Sequence, residues 1–281
     1  MKGWTIRVAS VAETPHVLAL CNLLDPQDYV QTAWPQWLCR TDALNLVVEA
    51  EGQVIACGHG ELVTPHDAWM QAIRVHPAAQ RRGVGSQLLW ALLAEFHKSG
   101  VRVARGSTAA SNRPMQVLLE KIGGRIVASV CRRLARGRTG RALKMPRATM
   151  AEALGLVRMA PVLASRPHLA RFKRAYFTMT DEHLAELVQQ GAVVVSTDRQ
   201  AYAILDPNAD VSSGAMWVSA IIGSPPGMCE VLEGLLVEAG CTGLGIVVDS
   251  PAEPVLQSVL DAMDFESPDR DGEFVMVEFC L

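Results

Sequence analysis

The chain has 281 residues, is 49% hydrophobic and carries a formal net charge of −3, enough to bury one large core or two of ordinary domain size. No apolar run reaches the length of a membrane span and the first residues hold no apolar signal segment, so the expected compartment is the cytoplasm. The seven cysteines are scattered and never in Cys-x-x-Cys spacing, which argues for reduced thiols and against a zinc site or other metal.

Taken in chain order, Thr5 to Ala9 reads as a first strand, and residues 12–24 and 28–40 read as helices, the second kinked or broken by Pro35. Asn45 to Glu49 and Val54 to Val63 form a hairpin around Glu51-Gly52. Trp69 to Val75 is an extended run ending in His76-Pro77. The helix from Gln87 to Lys98 puts Leu88, Leu89, Leu92, Leu93 and Phe96 on one face, and Gly100 ends it. Val101 to Ala104 is a strand that can extend through Thr108. Asn112 then stands as N-cap of a helix with Pro114 in its first turn, closed by Gly123-Gly124.

Between the strand and the first Leu-rich helix lies Gln80-Arg81-Arg82-Gly83-Val84-Gly85-Ser86. A strand, a Gly-bearing turn and a helix N-terminus make an anion site, because first-turn N–H groups have no intrahelical acceptor and the helix dipole favours negative charge. The ATP-type loop needs a lysine after its last glycine, and the dinucleotide fingerprint needs a third glycine where Leu88 stands. Neither fits. What fits is Gln/Arg-x-x-Gly-x-Gly/Ala, and the stretch Ile73 to Gly85 closely resembles the acyl-CoA pyrophosphate loop of the GNAT superfamily of N-acyltransferases.

That resemblance implies acetyl-CoA, or another acyl-CoA, as co-substrate. Ile73 and Val75 would offer main-chain groups to the pantetheine arm. Gln80, Arg81, Arg82, Gly83, Val84, Gly85 and Ser86 would hold the pyrophosphate, and Asn112 would approach the pantetheine from the neighbouring strand. In the family the helix that follows this Asn ends in Leu-Tyr-x-x-x-Gly-Phe; here the ending is Leu118-Leu119-Glu120-Lys121-Ile122-Gly123-Gly124. The Tyr, a general acid for the departing thiolate in much of the family, is Leu119, which cannot donate a proton. The attacking amine must be neutral, and an alkylamine of pKa ~10.4 is almost wholly protonated at pH 7. Glu61 and His76 are the nearest bases, with His59 weaker. Asp25, Asp28, Tyr29 and Trp37 are acceptor-side candidates, for each of which a surface acid or a packed aromatic is the plainer reading.

Charge divides the chain. Through Arg147 there are 19 Lys and Arg against 10 Asp and Glu; from Ala148 there are 7 against 19. A basic half suits a polyanion such as CoA, and an acidic half suits a cationic acceptor or solubility. The seven Lys and Arg from Arg132 to Arg147 read mainly as an outer strand and solvated linker, and the absence of interleaved aromatics argues against nucleic acid.

The second half repeats the first. A helix from Met228 to Ala239 ends at Gly240, a strand follows from Gly243 to Val248, then a helix from Ala252 to Met263 and a strand from Phe274 to Phe279. Ala192 to Ser196, Ala201 to Leu205 and Met216 to Ile222 resemble the three strands before the loop. In place of the loop stands Gly223-Ser224-Pro225-Pro226-Gly227, whose prolines lack the N–H groups a phosphate needs. The expected fold is therefore α/β (α+β): two tandem GNAT-like domains, each a mixed, mostly antiparallel sheet flanked by helices. Residues 1–147 would bind acyl-CoA and 148–281 would be a degenerate copy, a pseudo-dimer that favours a monomer. The implied function is an N-acetyltransferase acting by direct attack on an amine of a small molecule or a peptide N-terminus. The alternative is a non-catalytic acyl-CoA-binding protein.

Overall fold

The computed structural model describes residues 3–140, 144–159, 169–172, 175–207, 214–251, 253–267 and 272–281. They form two compact units that interleave in sequence. The first comprises Met1–Thr108, Asn112–Val127 and Val277–Leu281; the second comprises Ala109–Ser111 and Ala128–Met276.

In the first unit, β1 (Thr5–Val8) leads through a 3-10 turn to α1 (Thr14–Leu24) and α2 (Val30–Trp37), then to β2 (Ala43–Ala50), β3 (Gln53–Leu62) and β4 (Asp67–Val75). A second 3-10 turn precedes α3 (Val84–Lys98), followed by β5 (Val103–Ala109) and α4 (Arg113–Lys121). Neighbours run antiparallel from β1 to β4, and β5 joins β4 in parallel. The Leu-rich face of α3 packs with Leu46, Val48, Ala68 and Met70 on one side of the sheet. On the other, Val17, Leu20, Trp34 and Trp37 of the first two helices cover Val47 and Cys57. Pro35 lies inside α2, which spans only eight residues and stops at Trp37, shorter than the 28–40 expected.

Residues 277–280, the end of the last strand (Glu273–Cys280), lie beyond β5. Their place is prepared at Gly124, where a Cβ would come within 2.6 Å of Val277 Cγ1 and 2.7 Å of Phe279 Cζ. The ring of Phe279 thus takes the room that a larger residue at 124 would need.

In the second unit, β6 (Arg125–Arg136, of which residues 128–136 belong here) is followed by α5 (Met150–Met159). A ribbon of β7 (Leu169–Phe172) and β8 (Ala175–Thr178) and helix α6 (Asp181–Gln189) come next, none of them expected from the sequence. Then come β9 (Val193–Val195), β10 (Ala201–Leu205), β11 (Ala215–Gly223), α7 (Pro225–Cys241), β12 (Gly245–Pro251), α8 (Pro254–Ala262) and β13 (Glu273–Cys280). The sheet order is β6-β12-β11-β10-β9, antiparallel except for β11 with β12.

Each unit is thus a mixed, mostly antiparallel sheet flanked by helices. Both have three antiparallel strands, a helix, a strand parallel to the third, and a further helix. The parallel contact spans four residue pairs in each, Asp67↔Val103 to Met70↔Gly106 and Ala215↔Gly245 to Val218↔Val248. The basic run Arg132–Arg147, apart from residues 141–143, which lie outside the described residues, meets acids of its own unit: Arg132 with Asp249, Arg138 with Glu233 and Arg147 with Glu238.

Candidate functional site

The site is built where β4 leaves β5. Gln71 stands opposite His59 and Arg74 opposite Cys57, so β4 carries one extra residue. Ala72 takes up the bulge with φ of +58°, an uncommon conformation for a side chain with a Cβ. Past Met70↔Gly106 the strands part, β4 running on to Val75 and β5 to Ala109. Ile73 and Val75 lie on this free stretch.

The loop that follows is ordered by its own bonds. His76 N–H bonds Ile55 C=O at 2.8 Å, and His76 Nδ1 accepts from Ala78 N–H at 3.2 Å, capping the 3-10 turn Pro77–Ala79. Gln80 turns its side chain back, donating Nε2–H to Val75 C=O at 3.1 Å. Arg81 has φ of +58° and Gly83 +87°. Only glycine adopts the latter without strain, and it is this reversal that starts α3. The first i→i−4 bond of the helix is Gln87 N–H to Gly83 C=O, 3.1 Å, which leaves the N–H groups of Val84, Gly85 and Ser86 ahead of it. Arg81 and Arg82 are exposed, and Arg82 sits 6.0 Å over the Trp4 ring.

The two glycines differ in kind. A Cβ at Gly85 would meet Leu118 and Val75 side chains at 3.5 Å, ordinary contact. Packing does not demand glycine there, and the loop pattern itself admits alanine at this place. Asn112 caps α4, its Oδ1 accepting from Met115 N–H at 3.3 Å. Leu119 is buried in the α3 core.

On the α1/α2 face the acceptor-side candidates are drawn into one cluster. Asp28 is buried and bound to Arg74 by two hydrogen bonds. Tyr29 Oη donates to Gln71 Oε1 at 3.4 Å, and Gln71 Nε2 donates to Glu61 Oε1, also at 3.4 Å. Glu61 is buried, and its other oxygen pairs with Arg40, which also grips Asp42. The Trp37 ring stacks on His59 at 3.9 Å. Asn45 Nδ2 donates to Trp37 C=O at 3.1 Å, so its Oδ1 faces His59 Nδ1 at 2.8 Å as acceptor. That fixes the proton on Nδ1 and leaves Nε2 a lone pair, buried without a partner among the described residues. Burial first, then Arg40, work against the imidazolium, and despite Asp42 push His59 down to about 3. Asp25 stays at the end of α1, its Oδ1 accepting from Gln27 N–H.

Sequence reasoning missed Gln71, Arg40 and Arg74 as members of this cluster. Register would have found Gln71, since it lies opposite His59 across the hairpin; Arg40 and Arg74 carried no such signal.

In the second unit, β11 reaches Ser224 directly and α7 begins at Pro225. Two of its first-turn positions lack an N–H, and that of Gly227 goes to Ser224 Oγ at 3.3 Å. Among the described residues there is no group of three or more His, Cys, Asp or Glu able to hold a metal ion, and no helix long and apolar enough to cross a membrane.

No curated protein sequence matches the chain. Among solved structures it is similar to an acetyltransferase candidate from Thermoplasma acidophilum (14% identity, TM-score 0.64, 99% of this chain and 100% of that one). It is also similar to a GCN5-related N-acetyltransferase from Sphaerobacter thermophilus (14%, 0.59, 100% and 96%). A third likeness is to the GCN5-related glucosamine N-acetyltransferase region of a fungal multi-domain GH3 β-N-acetylglucosaminidase (13%, 0.65, 98% and 38%). At such identities these likenesses speak for the fold. The sequence itself matches the acetyltransferase (GNAT) family over residues 14–124, the span from α1 to the end of α4.

Proposed function

We propose that the protein transfers an acyl group, acetyl by default, from acyl-CoA to an amine of a small molecule or a peptide N-terminus. The observation that carries this is the positive-φ turn at Gly83, which starts α3 with three N–H groups ahead of its first i→i−4 bond, after a strand that has parted from β5. The main chain at Ile73 and Val75 would hold the pantetheine arm, and Gln80 to Ser86 the pyrophosphate, with Arg81 and Arg82 supplying countercharge. Asn112, its side chain engaged as a helix cap, would act by setting the start of α4.

The acceptor amine must lose a proton before or during attack. Glu61 and His76 are the proposed bases. Glu61 is already engaged in an ion pair with Arg40, whereas His76 spends only Nδ1 on the backbone. No hydroxyl stands at Leu119 to protonate the leaving thiolate. That observation favours the second reading, a non-catalytic acyl-CoA-binding protein.

The division of labour we propose gives acyl-CoA to residues 1–147, completed by the strand at 277–281, and a degenerate GNAT-like role to 148–281. The prolines at the start of α7 support it. A tandem chain of this kind would act as a monomer, in the cytoplasm, with neither metal nor nucleic acid.

Calorimetric titration of acetyl-CoA into the wild type and a Gly83→Pro, Gly85→Pro variant tests the reading. One-to-one binding lost in the variant is expected; two-to-one binding would show the second unit competent, and no binding would overturn the proposal. Thiol release with a panel of amines then separates the enzyme from the binding protein.

A further inference from the structure

We propose that Arg105 is a positioning residue for acyl-CoA, its buried ion pairs with Asp67 and Glu278 fixing the point at which β4 and β5 part. This rests on the reading of residues 73–86 as the acyl-CoA site. Arg105 is 1% exposed and lies opposite Trp69, one pair before the parallel contact ends at Met70↔Gly106. Its Nη1 donates to Asp67 Oδ1 at 2.5 Å, and its Nε and Nη2 donate to Glu278 Oε2 at 3.0 and 2.8 Å. Asp67 opens β4, and Glu278 belongs to the strand on the other side of β5. Leu281 N–H bonds Arg102 C=O at 2.9 Å, the antiparallel register that sets Glu278 opposite Arg105. One guanidinium therefore holds three adjacent strands.

Stability alone does not account for such a cluster, since buried ion pairs are commonly matched or bettered by apolar residues of similar volume. What a guanidinium adds is direction: a planar fork of donors meets carboxylates at set angles, where methylenes would let strands tilt or slide. Tilt matters here because only four residue pairs join β4 to β5, and Ile73 and Val75 extend beyond them. A small change of angle at Arg105 is magnified along that lever. Thr64 Oγ1, donating to Asp67 Oδ2 at 2.9 Å, holds the carboxylate from behind.

The test compares wild type, Arg105→Lys and an apolar triple (Asp67→Leu, Arg105→Met, Glu278→Met) for melting temperature and for acetyl-CoA affinity by calorimetry. The triple is expected to melt within a few degrees of wild type yet bind acetyl-CoA at least tenfold more weakly. Arg105→Lys, which keeps the charge but not the fork, is expected to show the same loss. A triple that binds as wild type does, or affinities that simply follow melting temperature, overturn the inference. Should the triple not fold, Glu278→Gln decides: several-fold weaker binding at a near-wild-type melting temperature supports the role, and wild-type affinity overturns it. Wild type that binds no acetyl-CoA overturns the proposed function as well, so the two failures are told apart.

Discussion

Arg74 holds Asp28 with two parallel hydrogen bonds, Nε to Oδ2 at 2.6 Å and Nη2 to Oδ1 at 2.9 Å, joining the start of α2 to the strand after the bulge. Asp28 also accepts from Val30 N–H at 3.1 Å, so one carboxylate both starts the helix and anchors it.

Asp28→Asn should therefore destabilise the protein by about 2–3 kcal/mol, somewhat under the usual cost of breaking a buried pair because Arg74 keeps partial contact with water. Burial works to raise the Asp28 carboxyl, but Arg74, with the Val30 N–H and Cys21, more than offsets it and leaves the group below its ordinary value. A lowered carboxyl contributes stability above its unfolded pKa, about 3.9, and loses it as pH falls through the folded value. Denaturant unfolding at pH 7 and in strong acid should show the wild-type advantage shrinking at the lower pH. An advantage independent of pH would mean the charge is not its source.

Gly85→Ala and Gly83→Ala should part company. At 85 the added Cβ finds ordinary contacts and the helix loses a glycine, so stability should hold or rise by up to about 1 kcal/mol. Acetyl-CoA should bind with near-wild-type affinity, since the loop pattern admits alanine at this place. At 83 the positive φ makes alanine cost about 1 kcal/mol as well as affinity. A tenfold loss of binding by Gly85→Ala would mean that the ligand comes closer to that backbone than the pattern allows.

His59 should remain uncharged throughout physiological pH, with its proton on Nδ1. In the unfolded chain it takes up a proton below about pH 6.5, whereas in the folded protein this waits until about 3. The group therefore supports the fold above pH 6.5 and withdraws about 1.4 kcal/mol per pH unit as the medium is acidified toward 3. His59→Phe, which keeps a ring against Trp37, should remove that slope between pH 6 and 4. Equal slopes for the two proteins would refute the assignment.

Leu119→Tyr would restore the hydroxyl that the family pattern carries. Because Leu119 is packed in the α3 core, the larger ring should cost about 1–3 kcal/mol and give no gain in thiol release. A faster reaction would show that the position faces the leaving group after all.

Much of the first unit was legible because its signals are local. The spacing of Leu88, Leu89, Leu92, Leu93 and Phe96 defines α3, and Asn112 with Pro114 marks the start of α4. The loop was readable from residue types alone, though not the bulge at Ala72, where no glycine betrays the positive φ. In the second unit Thr180, followed by Asp181 and Glu182, is a readable helix start. What no local pattern could reveal is the partner of Arg105, which stands 173 residues away. Nor could it reveal that Gly124 lacks a side chain because Phe279 fills the space.

That last contact sets a timetable for synthesis. Residues 1–127 leave the ribosome with the far edge of β5 unpaired and Arg105 without one of its carboxylates, and stay so until residue 279 has been made, roughly 10–30 s later at ordinary elongation rates. Arrested chains ending near residue 200 should accordingly be cut by protease within residues 103–109, and full chains should resist; equal resistance would mean the first unit closes without its last strand. The half that would hold acyl-CoA is thus begun first and finished last, and only a chain that has also made its second unit acquires a completed first one.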